Sequence, residues 1–178
     1  MNTTFVSYSQ DSPWHKDAVR GLVTQLRASG VDCVFDQDID NPEEGWPTWM
    51  LRQIRDSQFV VVVCSEGYLA KFDHLAPAGK GVKWEGSIIT QELYEAEGRN
   101  SKFIPVVLSD ADTACIPAPL RPYTYYHVME SDRYVALVNR LLGSALGDEG
   151  RKRSAGRRVA SSRPDRKSTR LNSSHGKL

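Results

Sequence analysis

The sequence contains little cysteine and no long apolar run. Its three cysteines, Cys33, Cys64 and Cys115, are widely spaced and odd in number, which argues against a disulfide framework and favours reduced thiols. The longest apolar run, Phe59–Cys64, has the length of a strand and not of a membrane span. The N-terminal MNTTFVSYSQ lacks the basic and apolar regions of a signal peptide. These absences predict a cytoplasmic protein without membrane association.

Motifs of several common enzyme classes are also missing. No GxGxxG or P-loop follows the first predicted strand, where the sequence reads SYSQDSP, so a Rossmann dehydrogenase or an NTPase is disfavoured. CSEGY, after the third predicted strand, is not a G-x-S-x-G elbow. The four histidines have neither the spacing of metal ligands nor a place in a serine triad. We therefore expect no metal and no bound cofactor.

Positive charge is concentrated at one end of the chain. Residues 151–178 carry ten Lys or Arg and one acid, whereas residues 1–150 carry 13 basic and 21 acidic residues, a net charge of −8. The basic segment has almost no apolar periodicity, which predicts a disordered tail over residues 147–178. The absence of aromatic residues for base stacking disfavours nucleic-acid binding by this segment. Its end, RKSTRLNSSHGKL, resembles translated sequencing-adapter read-through, so we expect the native chain to differ there.

Strand-like and helix-like segments alternate along residues 1–146. The first helix-like segment has Ser12 as a cap and Pro13 at its first position, and apolar side chains recur every four residues from Trp14 to Leu26. The third strand-like segment is apolar throughout, as expected at the centre of a parallel sheet. The alternation predicts an α/β, doubly wound domain with five parallel strands in the order 2-1-3-4-5. The strand-like segments are TTFVSY, VDCVFDQ, QFVVVVCS, KFIPVVL and TYYHV.

The strand order also predicts where a ligand would bind. In such sheets, ligands lie beyond the carboxyl ends of the strands at the point where the order reverses, here between the first and third strands. Ser7, Tyr8 and Ser9 follow the first strand, and residues 64–66 end the third. We expect these residues to border any pocket.

Four segments resemble the SEFIR branch of the TIR superfamily in its bacterial form. They are FVSYS with Asp11, VFDQDIDNPEEGW, IRDSQFVVVVCSEGYL and ITQELYEAEGRNSKFIPVVL, and the resemblance covers about residues 3 to 146. It implies a flavodoxin-like domain that self-associates into homo-oligomers or filaments. Animal SEFIR domains act as adaptors beneath interleukin receptors. Many bacterial TIR-like domains instead hydrolyse NAD in antiphage defence, so the resemblance implies NAD as a substrate.

The resemblance also implies a catalytic glutamate on the helix before the fourth strand. Enzymatic TIR domains have a pattern like W-x-x-x-E-[LI], with the glutamate about thirteen residues before the proline of that strand. Counting back thirteen residues from Pro105 gives Glu92. Trp84 lies eight residues before Glu92 and not four, so Glu85 remains a rival.

Cleavage of the nicotinamide–ribose bond explains why a glutamate is needed. The reaction develops an oxocarbenium-like ribose, which a nearby carboxylate stabilises. Trp84 or Tyr8 would stack on a ring, and the turn from Ser7 through Ser9 to Asp11 lies where anions bind well, at a helix N-terminus. The alternative is a non-enzymatic adaptor that only recruits other SEFIR or TIR domains.

The loop DIDNPEEG, residues 38–45, is predicted to control activity through assembly. Between Asp38 and Gly45 it has no apolar anchor before Trp46, so we expect it to be mobile in the monomer. In related TIR enzymes the corresponding loop packs against a neighbouring subunit and opens the site. A sensor or effector, fused or separate, is a further expected partner.

Overall fold

A computed structural model of the protein describes residues 3–73 and 80–143, with the backbone alone for residues 80–86. The predicted basic tail, residues 147–178, lies outside the described residues. Three short 3-10 helices, Asp36–Asp38, Asp110–Cys115 and Ala118–Leu120, lie in the described loops. In chain order the strands and α-helices are β1 Thr3–Ser7, α1 Pro13–Ala28, β2 Asp32–Val34, α2 Trp46–Asp56, β3 Phe59–Cys64, α3 Glu66–Phe72, α4 Lys80–Glu95, β4 Phe103–Val107, β5 Tyr126–His127 and α5 Ser131–Leu141.

The strands form a single five-stranded parallel sheet in the order β2-β1-β3-β4-β5. This confirms the predicted fold class and strand order. The order reverses between β1 and β3, where Ser7 pairs with Val62. On the other side of β3, Cys64 at the end of the strand pairs with Val107 at the end of β4. The carboxyl ends of β3 and β4 therefore lie at the same level.

The sheet separates two apolar cores. One face packs against α1 and α5, and the other against α2, α3 and α4. All six residues of β3 are buried, because this central strand is covered by helices on both faces. Its unbroken apolar run, which has no alternation to mark an exposed face, is explained by this position.

Helix α1 begins as the sequence predicts but exposes one of its large apolar residues. The Ser12 hydroxyl accepts a hydrogen bond from the His15 N–H at 3.1 Å, and Pro13 occupies the first turn. Leu22 and Leu26 are buried in the core, whereas Trp14, at the start of the same four-residue spacing, is 70% exposed. Trp14 therefore lies outside the core, and its ring borders a surface groove.

Helix α3 had no counterpart in the sequence-based prediction. It begins directly after β3, where the Ser65 hydroxyl accepts a hydrogen bond from the Tyr68 N–H at 3.2 Å. Tyr68 and Phe72 on this short helix are buried against the sheet. A serine cap followed by apolar residues four apart was the signal for this helix.

Candidate functional site

Five polar or small residues meet at the carboxyl edge of the sheet between β1 and β3. The Gly67 N–H donates to Oδ2 of Asp11 at 3.0 Å, and Lys71 Nζ donates to Oγ of Ser9. The Ser65 hydroxyl also contacts the Asp11 carboxylate. The structure thus brings together Ser9, Asp11 and Ser65, as the strand order predicts. Sequence reasoning missed Gly67 and Lys71, which lie on the unpredicted α3.

Gly67 is required at its position by the closeness of Asp11. A Cβ atom added to Gly67 would lie 2.0 Å from Oδ1 of Asp11 and 2.4 Å from its Cγ, far inside van der Waals contact. The absence of a side chain lets the carboxylate reach the backbone N–H. Asp11 therefore holds the first turn of α3 against the loop that leads into α1.

Hydrogen bonding sets the charge state of Asp11. Partial burial by itself would raise its pKa, but hydrogen bonds from Ser9, Ser65 and the Gly67 N–H outweigh burial and lower the pKa below its ordinary value of 3.8. The nearby His15 acts in the same direction. The carboxylate is therefore anionic throughout the physiological range.

The lowered pKa of Asp11 predicts a pH dependence of stability. Because the folded state holds this proton less tightly than the unfolded state, the contribution is present above pH 3.8 and is lost as the pH falls through the folded-state pKa. We expect Asp11→Asn to reduce the free energy of unfolding at neutral pH. In acid, the free energies of unfolding of the variant and the native chain should differ less. Urea denaturation at several pH values measures this. A difference that is independent of pH would contradict it.

Ser7 and Tyr8 point to opposite faces of the sheet. The Ser7 hydroxyl forms a hydrogen bond with the Tyr68 hydroxyl at 3.1 Å. Tyr8 is 7% exposed, its ring lies 5.6 Å from that of Phe35, and its hydroxyl accepts from Gln37 at 2.7 Å. Burial raises the pKa of Tyr8. The structure thus places the Tyr8 ring in the core beside α1, where it is not open to stack on a substrate.

Glu92 lies in a different part of the domain. Its carboxylate forms an ion pair with Lys102 Nζ at 3.1 Å, and Lys102 immediately precedes β4. Together with Arg55, from the last turn of α2, it lines a cleft of about 490 Å³ between α2 and α4. Lys102 precedes β4 and Arg55 lies shortly before β3, so both residues are at the amino edge of the sheet. The other lining residues are Ile88, Gln91, Glu95 and Ala96.

The structure therefore does not bring Glu92 together with Ser9 and Asp11. Those residues lie beyond the carboxyl ends of the strands, and β4 alone, at about 3.3 Å per residue, separates the two edges by about 13 Å. Glu85 lies seven residues before Glu92 on α4, which places its backbone about 10 Å nearer the carboxyl edge at 1.5 Å per residue. The side chains of Trp84 and Glu85 are outside the described residues.

Comparison with known families identifies the domain. The family model described as TIR domain matches residues 4–142, which is most of the chain. The chain belongs to the TIR domain family. Comparison with curated proteins finds no significant match.

The solved structures similar to this TIR domain include SEFIR and TIR domains. A prokaryotic SEFIR domain is 23% identical with a TM-score of 0.60, over 82% of this chain and 96% of that one. The IL-17 receptor B SEFIR domain is 17% identical, with a TM-score of 0.55 over 79% and 93% of the two chains. A metazoan TIR-STING receptor from C. gigas is 19% identical with a TM-score of 0.53, over 78% of this chain and 39% of that receptor. These likenesses confirm the fold.

Membership of the superfamily indicates the general role of such domains and the kind of partner they bind. TIR and SEFIR domains act in signalling and generally interact homotypically. Among the residues that the structure describes, no helix is both long and apolar enough to cross a membrane.

The loop over residues 38–45 is anchored to this TIR domain near its start. Asp38 forms an ion pair with Arg27 of α1, Ile39 packs against the core beside α2, and Pro42 is buried. The prediction that the loop lacks an apolar anchor before Trp46 is therefore wrong. Ile39 directly follows the 3-10 helix Asp36–Asp38, which comes shortly after β2.

The end of this loop is set by backbone conformation and by two tryptophans. Gly45 has φ 79° and ψ 154°, a conformation open almost only to glycine. Trp46 is 38% exposed, and its ring meets that of the buried Trp49 edge-on at 5.7 Å. Gly45 thus turns the chain into α2 and leaves part of the Trp46 ring accessible.

A cluster of three polar side chains and a cysteine thiol could in principle take part in chemistry, but each has a simpler explanation. Asp110, His127 and Glu130 bring one possible metal-binding atom each to within 4.8 Å of one another. His127 Nε2 lies 3.4 Å from Asp110 Oδ1, and both carboxylates are exposed, so a contact between surface side chains accounts for the group. Burial raises the pKa of the Cys64 thiol to about 12, which excludes it as a thiolate nucleophile near neutral pH.

Proposed function

We propose that this TIR domain is an NAD glycohydrolase of a bacterial antiphage defence system, acting in the cytoplasm and activated by self-assembly. The reaction breaks the bond between the nicotinamide nitrogen and the ribose C1′, and water supplies the hydroxyl that ends on the ribose. The products are nicotinamide and ADP-ribose, or a cyclised isomer. Support comes from family membership and from the polar cluster of Ser9, Asp11 and Lys71 at the carboxyl edge.

Family membership is the observation that carries the proposal, and the position of Glu92 bears on which glutamate acts. Oxocarbenium development needs a carboxylate at the pocket, and Glu92 is ion-paired to Lys102 at the opposite edge. Glu85 lies two helical turns nearer the polar cluster on the same helix. It therefore takes the catalytic role in the proposal, and Glu92 becomes the rival.

Lys71 is the residue best suited to bind the NAD pyrophosphate. Its ammonium group already donates to Ser9 at the carboxyl edge. A phosphate oxygen can replace the serine oxygen as acceptor and form a stronger, charge-assisted hydrogen bond. The anionic Asp11 is held by Gly67 and the serines, so its role in substrate binding is to position this cluster.

NAD consumption by the purified full-length chain, followed as nicotinamide release over a wide dilution series, tests the proposal. Specific activity should increase with protein concentration, because assembly is required. Trp46→Ala should reduce both assembly and turnover by about tenfold or more, since Trp46 is the exposed aromatic at the end of the assembly loop. Light scattering on the same samples measures assembly. Constant specific activity of a monomer at every dilution would refute control by assembly.

A non-enzymatic adaptor is the second candidate function. The observation that favours it is that Ser7, Ser9 and Asp11 are bonded within the domain, so a substrate has to displace existing partners. An adaptor would assemble to the same extent but release no nicotinamide at any concentration. The same dilution series distinguishes the two functions.

A further inference from the structure

The end of β1 and the turn after it are attached to the domain on both faces of the sheet. On one face, the Ser7 hydroxyl forms a hydrogen bond with the Tyr68 hydroxyl of α3 at 3.1 Å. Ser9 is bonded to the same helix, because its hydroxyl accepts from Lys71. Tyr8 lies between the two serines and points the other way, as side chains alternate along an extended chain. The partners of Tyr8 therefore belong to a different part of the domain.

The partners of Tyr8 lie at the start of the loop over residues 38–45. Its ring packs 5.6 Å from the ring of Phe35, and its hydroxyl accepts a hydrogen bond from Gln37 Nε2 at 2.7 Å. Phe35 and Gln37 belong to the short segment that connects β2 to this loop and contains the 3-10 helix Asp36–Asp38. Tyr8 thus links the turn that carries the polar cluster to the first residues of the loop.

The side-chain amide of Gln37 uses all of its hydrogen-bonding capacity. Nε2 donates to the Tyr8 hydroxyl and to the Lys16 carbonyl, the second at 3.3 Å. Oε1 accepts from Nε and Nη2 of Arg20 at 2.9 and 2.6 Å. A primary amide has two N–H donors and two acceptor lone pairs, so the group is fully bonded, and Lys16 and Arg20 fix it to α1. A carboxylate cannot donate to the two oxygens, and an apolar side chain makes none of these bonds.

The residues on either side of Gln37 are attached in the same way. Asp36 Oδ2 accepts a hydrogen bond from Gln10 Nε2 at 3.3 Å, and Gln10 lies in the turn after β1. Asp38 forms an ion pair with Arg27 of α1. Each of the three residues of the 3-10 helix is therefore bonded to that turn or to α1. The turn and the start of the loop form one connected unit.

We propose that Gln37 is a positioning residue through which the loop over residues 38–45 acts on the candidate site. A displacement at the start of the loop moves Gln37, and the bond to Tyr8 passes the movement to Ser9, the next residue in the chain. Ser9 in turn accepts from Lys71, the group assigned to the NAD pyrophosphate. As a means of regulating NAD cleavage this rests on the proposed function, whereas the link between Gln37 and the turn does not.

Two backbone amides in the cluster report a movement of Ser9. The Asp11 N–H donates to the Ser9 carbonyl at 3.0 Å, and the Gly67 N–H donates to Oδ2 of Asp11 at 3.0 Å. When Ser9 shifts, both hydrogen bonds weaken, and amides whose bonds open locally exchange their hydrogens faster with solvent. Exchange at Asp11 and Gly67 therefore measures how firmly the turn is held.

Amide hydrogen exchange in the full-length chain, followed by NMR at one protein concentration, tests the link. Gln37→Met keeps the length of the side chain but removes all four bonds, whereas Tyr8→Phe removes only the hydroxyl and leaves a ring beside Phe35. Each should speed exchange at Asp11 and Gly67 about fivefold or more, since each loses at least one hydrogen bond. The double variant should exchange no faster than Gln37→Met alone, because the same link is broken in both.

Glu44→Gln is the matched control. It removes the ion pair with Arg52 at the other end of the same loop, outside the connected unit, and should leave exchange at the two amides unchanged. The inference is overturned if Gln37→Met does not speed their exchange, if Glu44→Gln has the same effect, or if the effects of Gln37→Met and Tyr8→Phe add. It is equally overturned if exchange quickens to the same extent along the whole chain, because that is a general loss of stability.

NAD cleavage by the same variants tests the regulatory part. Gln37→Met should raise KM for NAD about fivefold with kcat nearly unchanged, because the displaced cluster binds substrate and does not carry the reacting carboxylate. An unchanged KM in a chain that cleaves NAD overturns this part. If the native chain releases no nicotinamide at any dilution, the proposed function fails, and the exchange measurements still decide whether Gln37 positions the turn.

Discussion

Replacing Glu85 with glutamine is expected to lower the rate of NAD cleavage by about a hundredfold or more. Glutamine keeps the shape and hydrogen-bonding capacity of the side chain but removes the negative charge that, in the proposed reaction, stabilises the oxocarbenium-like ribose. Loss of an interaction made in the transition state should lower kcat while KM changes little. Nicotinamide release by the assembled full-length chain measures both constants.

Glu92→Gln is the matched control on the same helix. It removes the ion pair with Lys102, in which both side chains are half-buried, and should lower the free energy of unfolding by about 1–3 kcal/mol. Turnover should remain close to that of the native chain. If Glu92→Gln abolishes turnover and Glu85→Gln does not, the catalytic role belongs to Glu92. The active site is then the cleft beside Arg55.

Replacing Gly67 with alanine is expected to lower the free energy of unfolding by about 2–3 kcal/mol. The new Cβ would lie 2.0 Å from Oδ1 of Asp11, so the carboxylate must move away from the backbone N–H that it accepts from. The anionic group then loses a charge-assisted hydrogen bond, and the start of α3 loses its attachment to the loop before α1. Urea denaturation of the full-length chain measures the change.

Two controls separate the clash from a general intolerance of alanine. Gly21→Ala makes the same substitution in a helix with open space around the Cβ, and should stabilise by about 0.5–1 kcal/mol. In the Asp11→Ala background, Gly67→Ala should cost much less than in the native chain, because the clashing carboxylate is absent. Equal costs of Gly67→Ala in the two backgrounds would show that the strain lies elsewhere.

The arrangement of the sheet was determined by the sequence itself. The all-apolar run of β3 requires cover on both faces, and strands that alternate with helices must lie parallel with crossovers of one hand. These rules give a doubly wound parallel sheet, of which 2-1-3-4-5 is the simplest order, and that order brings Ser9 and Ser65 to the switch point. Ser12 and Pro13 likewise mark the start of α1 through local backbone chemistry.

Only the tertiary structure decided which of the candidate catalytic and binding side chains lie at the same edge of the sheet. Counting residues from Pro105 identifies Glu92 on α4. The count gives a position along the chain, but it does not show at which edge of the sheet that part of the helix lies. The ion pair with Lys102 shows Glu92 at the amino edge. The sequence also does not reveal that the Tyr8 ring is enclosed beside Phe35, or that Ile39 packs against the core and Pro42 is buried in a loop that reads as polar. Such contacts join residues distant in sequence, so they are set by packing in three dimensions and leave no periodic signal in the chain.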